Sequence, residues 1–427
     1  KQQEYGSISA KMSIEVDGKK LTMQKASQLL KDTNREKREE IFKKISERRL
    51  EDRNILDTLY DELISLRQQI AQNAGFENYR DYMFSALGRF DYTATDCYNF
   101  HDAIQEEIVP IVTSFEKERK DKLGFSNYKA WDISVDVDGK DALKPFKGGD
   151  VLTDRSIECF RKLRPYFGEC LATMKEMEHL DLESKDGKAP GGFMYPLYEI
   201  GVPFIYMNAV GSQRDVVTMV HEGGHAVHSF LSRDLKLTEF KSTPSEVAEL
   251  ASMSMELLSM KHWDVFYDNK EELKRAKQEQ LEKVLEGLPW IAAIDKFQHW
   301  IYTTDHTAEE RREQWLEISS QLGNQIIDWS GQEESLANQW QKQLHLYEVP
   351  FYYIEYGMAQ LGAIAMWREY ILKGEDALDN YMEALKLGYT TSISEIYETA
   401  GIKFDFSVEY VKELAKFIKD QLSKLAR

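Results

Sequence analysis

The five residues His221-Glu222-Gly223-Gly224-His225 set two imidazoles four positions apart with a carboxylate beside the first. On an α-helix that spacing is one turn, so both rings leave the same face and reach a single zinc ion at about 2.0–2.1 Å. Glu222 then projects to the side of the pair, where it can touch a water on the metal without being a ligand. The flanks predict the helix: Val216, Val220, Val227 and Phe230 recur at helical spacing as an apolar stripe, with the histidines on the opposite side. The stripe should face core and the imidazoles a cleft. Gly223 and Gly224 each cost about 0.8–1 kcal/mol in a helix interior, which points to close packing at both positions.

A hydrolytic zinc needs a third protein ligand and one open position for water. The run Thr243-Pro244-Ser245-Glu246 reads as a helix start, with Thr243 as N-cap, proline at the first helical position and Glu246 closing a capping box. A second helix is predicted over 244–262. Glu246, Glu249 and Glu256 fall on one face and Val247, Ala251, Met255 and Leu258 on the other. With Glu246 occupied as a cap and Glu256 about two turns further along, Glu249 is the ligand of choice; the competing reading is a solvated acidic face. His228 occupies a third place on the histidine face. Seven residues rise about 10.5 Å, too far for three rings of a straight helix to meet one ion, so His228 is assigned to support or packing.

A chain of 427 residues can bury a large core, and its formal net charge of −18 argues against nucleic acid as a partner. No stretch of eighteen apolar residues is present, so no membrane span is expected. Cys97, Cys159 and Cys170 are too few and scattered for a disulfide framework or a cysteine metal cluster, and a reducing cytoplasmic compartment fits best. The chain opens on Lys1 without a charged-then-apolar leader, and a further N-terminal portion of the fold is expected to be missing.

Helical periodicity predicts helices over 21–30, 34–73, 95–123 and 152–178, then 270–287, 289–302, 307–322 and 332–344. The mixed-charge run from Arg35 to Arg53 reads as a solvated helix face, since its acids balance its bases. Between 181 and 212 the pattern breaks at Gly187, Pro190-Gly191-Gly192, Tyr195-Pro196 and Gly201-Val202-Pro203, and two or three short strands lead into the histidine helix. Such a strand can pair with an extended peptide. Further on, His345 precedes the run Phe351-Tyr352-Tyr353-Ile354-Glu355-Tyr356. Tyrosines there are ordinary core residues or hydrogen-bond donors to an oxyanion opposite the metal.

Three elements coincide in order: Asp215 to His228, Glu249 within Ala248-Glu249-Leu250-Ala251-Ser252, and His345 with its tyrosine cluster. Together they resemble the oligoendopeptidase F branch of the thimet oligopeptidase family of zinc peptidases. The likeness extends to Tyr79-Arg80-Asp81-Tyr82 and to the stretch from Gly187-Lys188 to Asn208, and so covers most of the chain. It implies a mainly α, zincin-like fold with a small antiparallel β-sheet beside the zinc helix and a deep substrate channel. Residues 1–125 would form an N-terminal helical portion and 126–427 the catalytic portion, with a further N-terminal helical region absent. The resemblance implies one zinc held by His221, His225 and Glu249, Glu222 as general base, and His345 and Tyr356 steadying the tetrahedral intermediate. Tyr352 is preferred to Tyr353 as the second tyrosine. The implied reaction is cleavage of internal bonds in short unfolded peptides by metal-activated water. Two competing readings are a non-catalytic peptide-binding protein using the same channel and an exopeptidase of carboxypeptidase type.

Overall fold

Helices carry most of the chain because apolar residues recur at three- and four-residue spacing with few prolines between them. The computed structural model describes residues 1–185, 188 and 191–426, so Gly187 and Pro190 lie outside the described residues. Contacts divide the chain into two units, Lys1–Asp141 with Glu286–Ile354, and Ala142–Leu285 with Glu355–Arg427.

In the first unit, strands β1 (Ser13–Val16) and β2 (Lys19–Thr22) form an antiparallel hairpin. Its turn places Asp17 and Gly18 at φ 51° and 71°, the left-handed pair that a two-residue hairpin demands. Leu21 and Thr22 therefore belong to a strand, and the helix expected from 21 runs Met23–Gln28 behind a Thr22 cap. The stretch 34–73 is two helices, Arg35–Glu51 and Arg53–Asn73, interrupted at Asp52. Its charge run is not wholly solvated. Arg38 is buried and donates to Asp132 at 2.9 Å, while Arg35 donates to the same carboxylate at 2.7 Å. Two guanidiniums thus compensate one buried acid, and removing either would leave that acid short of partners. The expected helix 95–123 is Ala94–Ala103, a π-helical turn at Ile104–Ile108 and Val109–Leu123, ended by Gly124 at φ 69°.

In the second unit, the stretch 152–178 is also split, into Gly149–Leu163 and Pro165–Glu176. Pro165 forces Arg164 into extended backbone (φ −155°, ψ 128°) and then serves as the first residue of a new helix. Three strands follow: β3 (Leu180–Glu183), β4 (Phe193–Tyr195) and β5 (Phe204–Ala209). Their order is β3-β5-β4, with β4 antiparallel to β5 and β3 parallel to it. The antiparallel pair is the expected one, and the parallel strand is an addition to it. Lys188 locks β3 in place, donating to the carbonyls of Asp181 at 2.9 Å and Glu183 at 2.8 Å.

The sheet feeds the histidine helix, Gln213–Ser232, which packs on the glutamate helix, Ser245–Ser259. That second helix starts one residue later than predicted. Pro244 is its N-cap, accepting from the backbone N–H of Val247 and Ala248 at 3.0 Å each, and no side chain caps it, so the Thr243–Glu246 box does not form. Glu246 is instead buried. The helices expected on either side of residue 288 are one, Lys270–Thr303, with Pro289 inside it. Proline removes one backbone bond at a cost of about 3 kcal/mol, and full burial of Leu285, Leu288, Ala292 and Ile294 offsets that loss.

Candidate active site

The histidine helix begins with a reciprocal cap. Asp215 accepts from the backbone N–H of Val210, Gly211 and Ser212 at 3.0, 3.0 and 2.8 Å, while Ser212 Oγ accepts from Asp215 N at 3.3 Å. This satisfies one orphan donor of the first turn, the Asp215 N–H, ties down the three residues before the helix and fixes where it starts, hence which way positions 221 and 225 point. Val216, Val220 and Val227 are fully buried on one side. On the other side His221 and His225 keep about a fifth and a sixth of their side-chain surface exposed (21% and 16%).

Glycine at 223 and 224 has a direct structural cause. A Cβ on Gly224 would stand 2.7 Å from Ser252 Cα and 2.8 Å from the Ala251 carbonyl oxygen, so the two helices touch backbone to backbone. A Cβ on Gly223 would stand 2.7 Å from the Phe160 ring. This contact brings Glu249 to the histidines. Its Oε2 lies 3.3 Å from His221 Nε2 and 3.7 Å from His225 Nε2. Ser252 Oγ donates to the same oxygen at 3.0 Å, and Tyr381 O–H holds the helix by donating to the Ala251 carbonyl at 2.7 Å.

The ring of His221 is oriented from behind. Its Nδ1 donates to Glu256 Oε1 at 2.7 Å, and Gln280 Nε2 donates to Glu256 Oε2, also at 2.7 Å. With the proton held on Nδ1, the Nε2 lone pair is left for a metal. The His225 ring bonds the Ala248 backbone carbonyl. Two imidazole nitrogens and a carboxylate oxygen at these separations are close to the edges of a tetrahedron with about 2.0–2.2 Å bonds, which are about 3.3–3.6 Å long. The residues present therefore fit a zinc ion, and they lie together in the second unit.

Charge is strongly perturbed here. Burial opposes protonation of His221, but Glu249 and Glu256 outweigh it and raise its pKa well above the ordinary value. Burial works against ionised Glu249 too, and the two imidazoles and Ser252 hold its pKa down at about 2. Burial lowers His225 to about 4 and His228 to about 3. His228 is buried one turn beyond the pair and outside the ligand group. Glu222 is buried, its pKa is pushed up to about 7 chiefly by that burial, and the backbone N–H of Met194 in β4 bonds its carboxylate.

Of the remaining sequence-predicted residues, His345 and Tyr352 lie in the first unit and Tyr356 in the second. His345 sits in the short helix Leu344–Glu348, its Nδ1 2.6 Å from Gln343 Nε2 and its ring 6.1 Å from that of Tyr352 and 4.8 Å from that of Tyr353. Tyr352 precedes the helix Tyr353–Lys373, following Phe351 at φ 66°, and Tyr356 is on the first turn of that helix. Sequence reasoning set Glu256 aside, and it passed over Gln280, Ser252 and the Met194 amide. Glu256 carried a signal, since it stands seven residues from Glu249 and so on the same helix face.

The model of peptidase family M3 matches residues 28–416. An oligoendopeptidase F homologue of Lactococcus lactis subsp. lactis is 21% identical over 342 residues, 77% of this chain and 54% of that protein. The oligopeptidase PepF of Bacillus subtilis is 25% identical over 272 residues, 62% of this chain and 40% of that protein. The chain thus spans about half the length of the curated relatives it matches. Among solved structures, PZ peptidase A with an inhibitor superposes with a TM-score of 0.91 at 27% identity, covering 99% of this chain and 75% of the other. Oligoendopeptidase F from Enterococcus faecium, 15% identical, shares the fold with a TM-score of 0.69 over 100% of this chain and 71% of its own. The histidine pair, its acids and their order along the chain thus sit inside a matched region of 389 residues, and the chain belongs to peptidase family M3, on its oligoendopeptidase F branch.

Proposed function

We propose that this chain is a zinc-dependent oligoendopeptidase that hydrolyses internal bonds of short unfolded peptides. The observation that carries the reading is the convergence of His221 Nε2 and His225 Nε2 on one Glu249 oxygen, at 3.3 and 3.7 Å, with Glu256 fixing the His221 tautomer. His221, His225 and Glu249 hold the ion. Zinc, when bound, polarises the scissile carbonyl and lowers the pKa of water toward 7. Glu222, one residue from His221 and steadied by the Met194 N–H, accepts the proton of the attacking water and returns it to the leaving amine. The oxyanion donors His345, Tyr352 and Tyr356 enter this reading through their motif, each worth on the order of 10²–10³ in rate. Strand β4, with exposed Phe193 and Tyr195, offers a backbone edge for an extended substrate. No described helix is long and apolar enough to cross a membrane, and buried cysteine thiols support a reducing, cytoplasmic compartment.

A quenched peptide incubated with the zinc-loaded chain, with the chelated chain and with Glu222→Gln tests the reading when the products are identified by mass spectrometry. Internal cuts that require zinc and vanish in Glu222→Gln, with metal content unchanged, are expected. Peptide left intact by the zinc-loaded chain would point to the binding-only reading, and cuts confined to chain ends to an exopeptidase.

A further inference from the structure

A second group of metal-ligating side chains lies wholly within the first unit. Cys97 and His101 stand four residues apart on the helix Ala94–Ala103, and Asp295 and His299 stand four apart on Lys270–Thr303. Each pair projects from one face of its helix, and the two pairs meet. The Cys97 thiol, the Asp295 carboxylate and a His299 ring nitrogen lie within 4.8 Å of one another, and all three residues are buried. His101 Nε2 is 2.8 Å from Asp295 Oδ2, and His299 Nε2 is 3.2 Å from the same oxygen.

The carboxylate and one imidazole of this group are short of protein partners. Asp295 is 0% exposed and His299 2%. Among the described residues Asp295 Oδ1 and His299 Nδ1 lack a hydrogen-bond partner. A buried carboxylate is costly unless a positive charge compensates it. The ion-pair partners of Asp295 are the two imidazoles. A carboxylate, a thiol and an open imidazole nitrogen are thus gathered at a buried position.

We propose that Cys97, Asp295 and His299 bind a second transition-metal ion of borderline softness, of the zinc class, with His101 donating to the outer oxygen of Asp295 to orient it. Mixed sulfur, nitrogen and oxygen donors select that class over magnesium or calcium. Ligating carboxylates are characteristically held by such a hydrogen bond. The His299 ring is positioned by Tyr98 at 5.0 Å, Phe351 at 5.6 Å and Phe84 at 6.0 Å between centroids. A cavity of ≈ 360 Å³, bordered by Tyr98, His101, Asp102, His299 and Trp300, reaches the two imidazoles and supplies an entry path.

The assignment does not depend on the hydrolytic centre. That centre has no sulfur ligand, and Cys159 and Cys170 belong to the other unit, outside either ligand group. A cobalt–thiolate charge-transfer absorption in the near ultraviolet therefore reports Cys97 alone. Metal-free chain titrated with cobalt(II) should bind two ions and develop that absorption. Glu249→Ala should lose one ion and keep the absorption, whereas Cys97→Ser should lose one ion and the absorption together. A cobalt-saturated wild-type chain with no thiolate band overturns the proposal, as does a Cys97→Ser chain that binds as many ions as wild type. Because the wild-type spectrum decides by itself, poor folding of a variant does not rescue the idea.

Discussion

Gly224→Ala puts a methyl group into the contact that brings the third ligand to the histidines. In an open helix the change would stabilise the protein by about 0.8–1 kcal/mol. Here the new Cβ would meet Ser252 Cα at 2.7 Å and the Ala251 carbonyl at 2.8 Å, where ordinary contact begins at 3.4 Å. Both neighbours are backbone, so the helices must part by about 0.7 Å. Overpacking of this kind costs about 1–3 kcal/mol, leaving a net loss of roughly 0–2 kcal/mol after the propensity gain. The metal site should suffer more. Glu249 lies one turn before Ser252 and moves with it, while metal–ligand distances tolerate only about 0.2 Å. Zinc affinity should fall about 10–100-fold, as it does when a ligand loses its orientation. Gly287→Ala is the control, because nothing lies within 4 Å of the Cβ it would add, and it should raise stability by up to about 1 kcal/mol. Thermal melts and zinc titration against a chromophoric chelator give both quantities. If Gly224→Ala binds zinc as tightly as wild type and melts higher, the close approach of the two helices is not what sets the site.

Glu249→Ala removes the oxygen on which both imidazoles converge, so elemental analysis should show this ion lost; zinc retained there would move the ligand to Glu256. Glu256→Ala leaves every proposed ligand intact but frees the His221 ring, and zinc affinity should drop about 10–100-fold. An unchanged affinity would show that His221 is held by other means. Tyr356→Phe should lower turnover on the order of 10²–10³-fold at unchanged metal content, and a wild-type rate would transfer the donor role to Tyr352 or Tyr353.

The histidine pair was legible because helical spacing is a strong local rule, and the valine stripe at 216, 220 and 227 fixed which side faced inward. The glycine pair was legible in kind, since only a close contact justifies its helical cost, but its partners, Ser252 and Phe160, come from elements distant in sequence. Glu249 could be chosen from local pattern, although the cap argument used to set Glu246 aside was incorrect; Glu246 stands outside the group that His221, His225 and Glu249 form. Glu256 was set aside by its distance along one helix, where what matters is its distance to a ring on another. The missed helix break at Pro165 and the continuous helix through Pro289 show the same residue ending one helix and surviving in another. Apolar residues are buried on both sides of each proline, so periodicity and burial do not tell the two outcomes apart.

The Met194 amide gives strand β4 a further consequence. The strand is three residues long, and one of its peptide units is spent on holding the proposed proton acceptor. A ligand lying along this strand would therefore press on the Glu222 carboxylate through a single shared peptide, so, with Glu222 as the proposed base, its register would govern the speed of bond breaking more than the tightness of its grip. Peptides that differ only in how they seat against residues 193–195 should then separate by kcat while their KM values stay close.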